Sequence, residues 1–151
     1  MSESINLSEF QDSDFDSLLQ MALKLWQDFS EAELRRLLKE AHTWGAQKII
    51  MAKNNDDKNI GFAIFTIRRE YVEGAKQSPT GYLEGIFVEA DFRKKGIAKE
   101  LVKLGEQWAK KNGCIQMGSD TWLADTASRK FHQRIGFWEE EEVVHFLKDI
   151  E

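Results

Sequence analysis

The chain has 151 residues, 42% hydrophobic and 31% charged, with a formal net charge of -5 at pH 7. That balance suits a soluble globular domain able to bury a core, and the negative charge disfavours nucleic acid as the main ligand while favouring a cationic partner. A single proline and no low-complexity stretch argue against disorder, no apolar run approaches bilayer length, and the start MSESINLSEF lacks the basic and apolar regions of a signal peptide.

The first strand candidate is Ile5-Asn6-Leu7. Ser13 starts a helix whose Phe15, Leu18, Leu19, Ala22 and Trp26 share one face. Ser30-Glu31-Ala32-Glu33 reads as a capping box, in which the Ser30 hydroxyl and the Glu33 carboxylate each satisfy an orphan amide. Leu34, Leu37, Leu38 and Ala41 follow at helical spacing. After Gly45 the pattern turns β-like over residues 47–53. Asn54-Asn55-Asp56-Asp57 supplies turn chemistry, and residues 59–69 return as the second arm of a hairpin. A polar loop with Gly74, Pro79 and Gly81 leads to a strand at 82–88. A helix is expected at 96–112 with Ile97, Leu101, Leu104 and Trp108 facing inward. A strand at 114–118, a helix at 126–135 with Ala127, Phe131 and Ile135 aligned, and a closing strand at 143–147 complete the order. β-α-α-β-β-β-α-β-α-β is a mixed α/β pattern, read as one domain over residues 1–151.

The lone Cys114 excludes an internal disulfide and fits a reducing cytoplasm. With no CxxC pair and His42, His132 and His145 as the histidines, no metal is expected. Cys114, in an expected strand and without an adjacent base, reads as packing and not as a nucleophile.

The join Arg93-Lys94-Lys95-Gly96-Ile97-Ala98 is unusual in an acidic chain. It follows an apolar strand and opens a helix. A helix N-terminus presents free amide donors and a partial positive charge, and glycine lets a ligand approach the backbone closely. Basic side chains add to the same field, so the loop suits a pyrophosphate. Taken alone it equally describes a basic surface turn before an amphipathic helix. Downstream, His132-Gln133-Arg134-Ile135-Gly136-Phe137 ends a helix on glycine.

At these residues the sequence resembles the GNAT acetyltransferases, whose R/Q-x-x-G-x-G/A loop and aromatic-x-x-x-Gly-Phe signature match R-K-K-G-I-A and the run from His132. Leu25-Trp26, Arg69-Glu70-Tyr71-Val72, Leu83 to Val88, Ser119-Asp120-Thr121 and the acids after Phe137 look like the aminoglycoside 6'-N-acetyltransferases among them. The resemblance implies the GNAT acyl-CoA N-acyltransferase fold, a mixed central sheet with helices on both faces. It implies acetyl-CoA as co-substrate, with Lys94, Lys95, Gly96, Ile97, Ala98 and Lys99 on the phosphates and Ile86, Phe87 and Val88 along the acetyl and pantetheine channel. Asp125, the expected N-cap of the 126–135 helix, stands where close relatives often place an asparagine against CoA. His132 stands where many members carry tyrosine, which protonates the departing thiolate.

A polycationic acceptor such as kanamycin or tobramycin needs carboxylates for its ammonium groups and aromatic walls for its sugars. The resemblance assigns Trp26, Tyr71, Glu84, Asp120 and Glu141 to it, with Glu84 or Asp120 taking the reactive proton. Glu84 sits in an apolar strand where an unpaired carboxylate is costly, and strict alternation gives it the face of Tyr82, Ile86 and Val88. Glu139 to Glu142 alone would be a solvated charge run. Other readings of the same fold are acetylation of a polyamine, a small-molecule amine or a protein lysine, or a non-catalytic CoA sensor. Neither membrane nor nucleic acid is an expected partner. Relatives are commonly dimers, sometimes with the closing strand exchanged, so a homodimer is expected.

Overall fold

The computed structural model describes residues 4–41 and 47–150, so His42 and Gly45 lie outside the described residues. Strand β1 (Asn6–Glu9) pairs antiparallel with β2 (Gln47–Lys53), β2 with β3 (Asn59–Arg68), and β3 with β4 (Thr80–Val88). A short β5 (Met117–Ser119) joins the far edge of β4 in parallel, giving the sheet order β1-β2-β3-β4-β5. Helices α1 (Phe15–Leu25) and α2 (Glu31–Ala41) cover one face and α3 (Ile97–Lys111) the other, while α4 (Thr126–Arg134) follows β5.

Period-two alternation divides the sheet residues between two cores. Ile49, Met51, Phe62, Ile64 and Phe87 meet Leu18, Leu19, Ala22, Leu34 and Leu38 under α1 and α2. Ile50, Ala52, Ala63, Phe65, Leu83 and Val88 meet Ile97, Leu101 and Val102 under α3. Truncating a fully buried member such as Phe62 or Leu101 leaves a cavity costing about 2–5 kcal/mol. Gly105 lets α3 lie directly on the Phe65 ring, which any Cβ at that position would overlap.

Ser13 does not cap the first helix, where a 3-10 turn at Asp12–Asp14 precedes α1, but the signals at Ser30 and Asn54 act as expected. Ser30 Oγ accepts the Glu33 N–H at 3.2 Å, one half of the capping box. Asn54 Oδ1 accepts from the Asp56 and Lys58 amides at 3.0 Å each and shapes the β2–β3 turn.

Two strand expectations are corrected. Cys114 is not in a strand: its N–H donates to the Ala109 carbonyl at 3.1 Å after Gly113 turns left-handed with φ +86°. This C-terminal closure of α3 uses the first residues of the expected run, and pairing begins at Met117. Residues 143–147 form no strand. They are exposed, Val143 at 69% and Phe146 at 84%, because a strand exists only against a neighbour and none stands beside them among the described residues. No described helix is long and apolar enough to cross a membrane.

Candidate active site

The β4–β5 pair is a fork. Its rungs are Gly81–Met117, Tyr82–Gly118 and Leu83–Ser119, and there β5 ends. Strand β4 runs on to Val88, so its edge over residues 84–88 has no strand beside it among the described residues. The Glu89 N–H donates to the Ile60 carbonyl on β3 at 2.8 Å. By alternation the peptide groups of Val88 and Ile86 point the other way, into the fork. The Val88 carbonyl is taken by Arg93 Nε at 2.7 Å, leaving the Val88 N–H as a donor there. Phe87 and Val88 side chains are buried in opposite cores, with Ile86 half-buried, so this segment offers backbone to the fork more than side chain.

The mouth of α3 closes the lower end. Gly96 is the N-cap at φ +81°, no side chain caps the helix, and a Cβ at Gly96 would meet nothing within 4 Å. The first-turn amides of Ile97, Ala98 and Lys99 have no intrahelical acceptor. Lys94 also adopts φ +62°, a region that an ordinary side chain avoids, so the tight turn is held at a cost. Lys94, Lys95 and Lys99 are exposed, whereas Arg93 is spent on Val88 and its guanidinium lies 5.5 Å from the Phe87 ring centroid.

At the upper end β4 carries a bulge. Ile64 is opposite Gly85 and Phe65 is opposite Leu83, so Glu84 is an extra residue in β4. Strict alternation fails at this point. Glu84 lies on the face of Thr66 and Arg68, while Ile86 and Val88 belong to the α3 core. Glu84 accepts from Thr66 Oγ1 at 2.6 Å and from Arg68 Nε and Nη2 at 3.1 and 3.0 Å, with a further Nη2 contact to Oε2 at 3.0 Å. Arg68 stacks on the Tyr82 ring, 3.4 Å from its centroid, and the Tyr82 hydroxyl donates to Asp120 Oδ2 at 2.5 Å. Burial, with the Asp120 carboxylate as the next cause, pushes the Tyr82 hydroxyl far above its ordinary value. Trp26, just past α1, lies over Gly85, where a Cβ would meet its ring at 2.5 Å.

His132 sits beside Ser119, the last rung of the fork. Its Nδ1 lies 2.7 Å from the Ser128 carbonyl, which can only accept, so Nδ1 carries a proton. In the neutral ring Nε2 then accepts from Ser119 Oγ at 2.7 Å. Phe131 and Phe137 pack edge-on to the imidazole at 5.5 and 5.4 Å. Asp125 is the N-cap of α4, and one of its oxygens accepts the Ser128 N–H at 3.0 Å.

The structure thus brings Trp26, Glu84, Asp120 and His132 to one end of the fork and residues 94–99 to the other. It does not bring Tyr71 or Glu141 into direct contact with them. Tyr71 is 78% exposed on the β3–β4 loop, where its hydroxyl accepts the Gly74 N–H at 3.4 Å. The Glu140 side chain lies against Gly74, and Arg129 holds Glu139 at 2.7 Å, which leaves Glu141 exposed.

Comparison with known proteins places this fold in a family. The family model described as "Acetyltransferase (GNAT) family" matches residues 16–137. The chain belongs to the GNAT acetyltransferase family. A relative named aminoglycoside N(6')-acetyltransferase type 1 from Acinetobacter baumannii is 36% identical over 97% of this chain and 99% of its own length. The solved structure of the aminoglycoside N-acetyltransferase AAC(6')-Iy in complex with CoA has a TM-score of 0.91 at 30% identity, covering 99% of this chain and 98% of that one. A second AAC(6')-Iy structure, with the bisubstrate analogue CoA-S-monomethyl-acetylneamine, has a TM-score of 0.88 at 31% identity and covers 97% of this chain and 99% of that one. The mixed sheet with helices on both faces is the GNAT fold.

In this GNAT chain Thr66, Arg68, Tyr82 and Ser119 join the site without a role that the sequence assigned them. Thr66 and Arg68 are two apart on a strand and so share a face, a usable signal. Their meeting with Glu84 depends on the β3–β4 register, which pairs Thr66 with Tyr82 and leaves no local mark. Among the described residues no group of three or more His, Cys, Asp or Glu is placed to hold a metal ion. Burial pushes the Cys114 thiol up, away from thiolate chemistry.

Proposed function

We propose that this chain, acting as a single domain, transfers the acetyl group of acetyl-CoA directly to a primary amine, the 6'-amino group of an aminoglycoside such as kanamycin or tobramycin. One observation carries the reading: an uncapped helix mouth and two carboxylates stand at opposite ends of one free strand edge. The empty space over Gly96 fits a diphosphate on the amides of residues 97–99, with Lys94, Lys95 and Lys99 adding positive charge. Ile86 to Val88 then pair by backbone with the pantetheine arm, and Asp125 borders the cofactor from α4.

Acetyl-CoA supplies the thioester. The Val88 N–H polarises its carbonyl. The N–C bond forms as the C–S bond breaks, the amine proton passes to Glu84 or Asp120, and the electron pair leaves on sulfur. His132 serves as acid through Ser119 in its imidazolium form: Nε2–H gives its proton to that hydroxyl as the hydroxyl passes its own to the departing thiolate. Trp26 and Tyr71 offer sugar-facing rings, and Glu141 offers a carboxylate to a distal ammonium. The acids favour the ammonium form of any amine they touch, so binding and proton acceptance fall to different carboxylates.

The exposed apolar run Val143, Val144, Phe146, Leu147 and Ile150 supports a homodimer in which this segment finds its neighbouring strand on a second copy. The buried free thiol of Cys114 supports a cytoplasmic site of action.

Free-thiol release from acetyl-CoA in the presence of kanamycin or tobramycin tests the reading. No release above background, with CoA binding intact, removes the aminoglycoside. A panel with polyamines and lysine peptides identifies a different acceptor. Asp120→Asn is expected to lower turnover far more than CoA affinity, and equal loss of both would remove its role.

A further inference from the structure

Glu84 and Asp120 are bridged by side chains that neither acid's sequence position reveals. The chain of contacts runs Thr66, Glu84, Arg68, Tyr82, Asp120 across β3, β4 and the end of β5. Its two ends are unlike. Both Glu84 oxygens are engaged, Oε1 by Thr66 and Arg68 and Oε2 by Arg68. Asp120 has one oxygen on the Tyr82 hydroxyl, and no described residue bonds the other.

We propose that Arg68 and Tyr82 are positioning residues that sort the two carboxylates. The Arg68 fork engages both oxygens of Glu84 and keeps it as a fixed counter-charge. The Tyr82 hydroxyl pins Oδ2 of Asp120, so that Oδ1 is presented to the reactive amine at the end of the fork. Asp120 is therefore the proton acceptor and Glu84 is not. The inference rests on the acetyl-transfer reading above and names the base within it.

The geometry carries this in three ways. A planar guanidinium can grip a carboxylate with two donors and lie flat on an aromatic face at once, which an ammonium cannot. Stacking at 3.4 Å fixes the Tyr82 ring from its face, and Gly118 leaves room at its edge, where a Cβ would meet the ring at 2.8 Å. A ring held on face and edge directs its hydroxyl, and the hydroxyl directs Asp120. The burial and nearby carboxylate that push the Tyr82 proton far from release keep that hydroxyl a donor throughout the working pH range.

The test uses Tyr82→Phe and Arg68→Lys in the full chain, with CoA affinity and thermal unfolding as controls for folding. Tyr82→Phe is expected to lower kcat with the aminoglycoside roughly 10- to 100-fold, the scale of a misplaced reacting group, with the acetyl-CoA KM within about twofold. Arg68→Lys keeps the charge yet is expected to raise the amine KM, because one ammonium cannot replace the fork. A readout independent of turnover is Cζ-labelled tyrosine NMR. The chain has two tyrosines, and Tyr71→Phe assigns them. Asp120→Asn is expected to move the Tyr82 resonance and leave that of Tyr71 in place. Wild-type kcat in a folded Tyr82→Phe, or a Tyr82 resonance indifferent to Asp120→Asn, overturns the proposal. A wild type that acetylates no amine, yet shows the resonance coupled to Asp120, overturns the acetyl-transfer reading and leaves the pinning of Asp120 standing.

Discussion

Gly96 and Gly113 bracket α3 and invite a paired substitution. Their φ angles are +81° and +86°, and a Cβ at either would meet nothing within 4 Å. Alanine at each position therefore costs the left-handed backbone penalty, about 1–2 kcal/mol, with no clash added. For a domain of this size that is a Tm loss of roughly 2–8 °C. The two positions differ in what surrounds the open space. At Gly113 the backbone closes the helix, its N–H donating to the Lys110 carbonyl at 3.1 Å. At Gly96 the space lies before uncapped amides, where we place the diphosphate. A methyl group there displaces at least one charge-assisted hydrogen bond, worth about 1.5–3 kcal/mol, which corresponds to roughly a 10- to 150-fold rise in the CoA Kd. Titration calorimetry with CoA and thermal unfolding of wild type, Gly96→Ala and Gly113→Ala separate the two effects. Both variants are expected to lose similar stability, and Gly96→Ala alone to lose affinity. An unchanged Kd in Gly96→Ala, or equal weakening in Gly113→Ala, refutes the helix mouth as the phosphate site.

Asp14 is buried, which by itself would raise its pKa, but bonds from the Gln11 N–H, Asn59 and Lys53 outweigh burial and hold it below the ordinary carboxylate range. Its stabilising contribution is present above the ordinary Asp value of about 3.9 and is lost as pH falls through the lower folded value. Urea unfolding from pH 7 to pH 3 is thus expected to show wild type converging on Asp14→Asn at acid pH, and a constant gap would contradict it. Gly85→Ala drives a Cβ to within 2.5 Å of the Trp26 ring. It is expected to cost about 1–3 kcal/mol and to raise the amine KM while sparing that of acetyl-CoA. An unaltered amine KM would remove Trp26 from the acceptor site. Lysines at Val144 and Phe146, 76% and 84% exposed in the single chain, are expected to yield a monomer by sedimentation where the wild type is a dimer. A wild type that sediments as a monomer at micromolar concentration would end the dimer reading.

The helices and the β2–β3 hairpin were legible in the sequence because their determinants are local. Leu18, Leu19 and Ala22 recur at helical spacing, Ser30 caps its own helix, and Asn54 folds its own turn. The basic glycine loop was legible for the same reason: an uncapped helix start after an apolar strand is written in consecutive residues.

Tertiary structure decided the rest, because each remaining feature is a relation between distant segments. Whether Glu84 stays in step depends on its register with Ile64 and Phe65, and the bulge reversed the face expected for Ile86 and Val88. Tyr82 reaches Asp120 across 38 positions, and no spacing rule links them. The fork exists because β5 stops at Ser119 while β4 continues. Residues 143–147 carry a strand's composition without forming one, since a β-ladder needs a second edge and none lies beside them among the described residues.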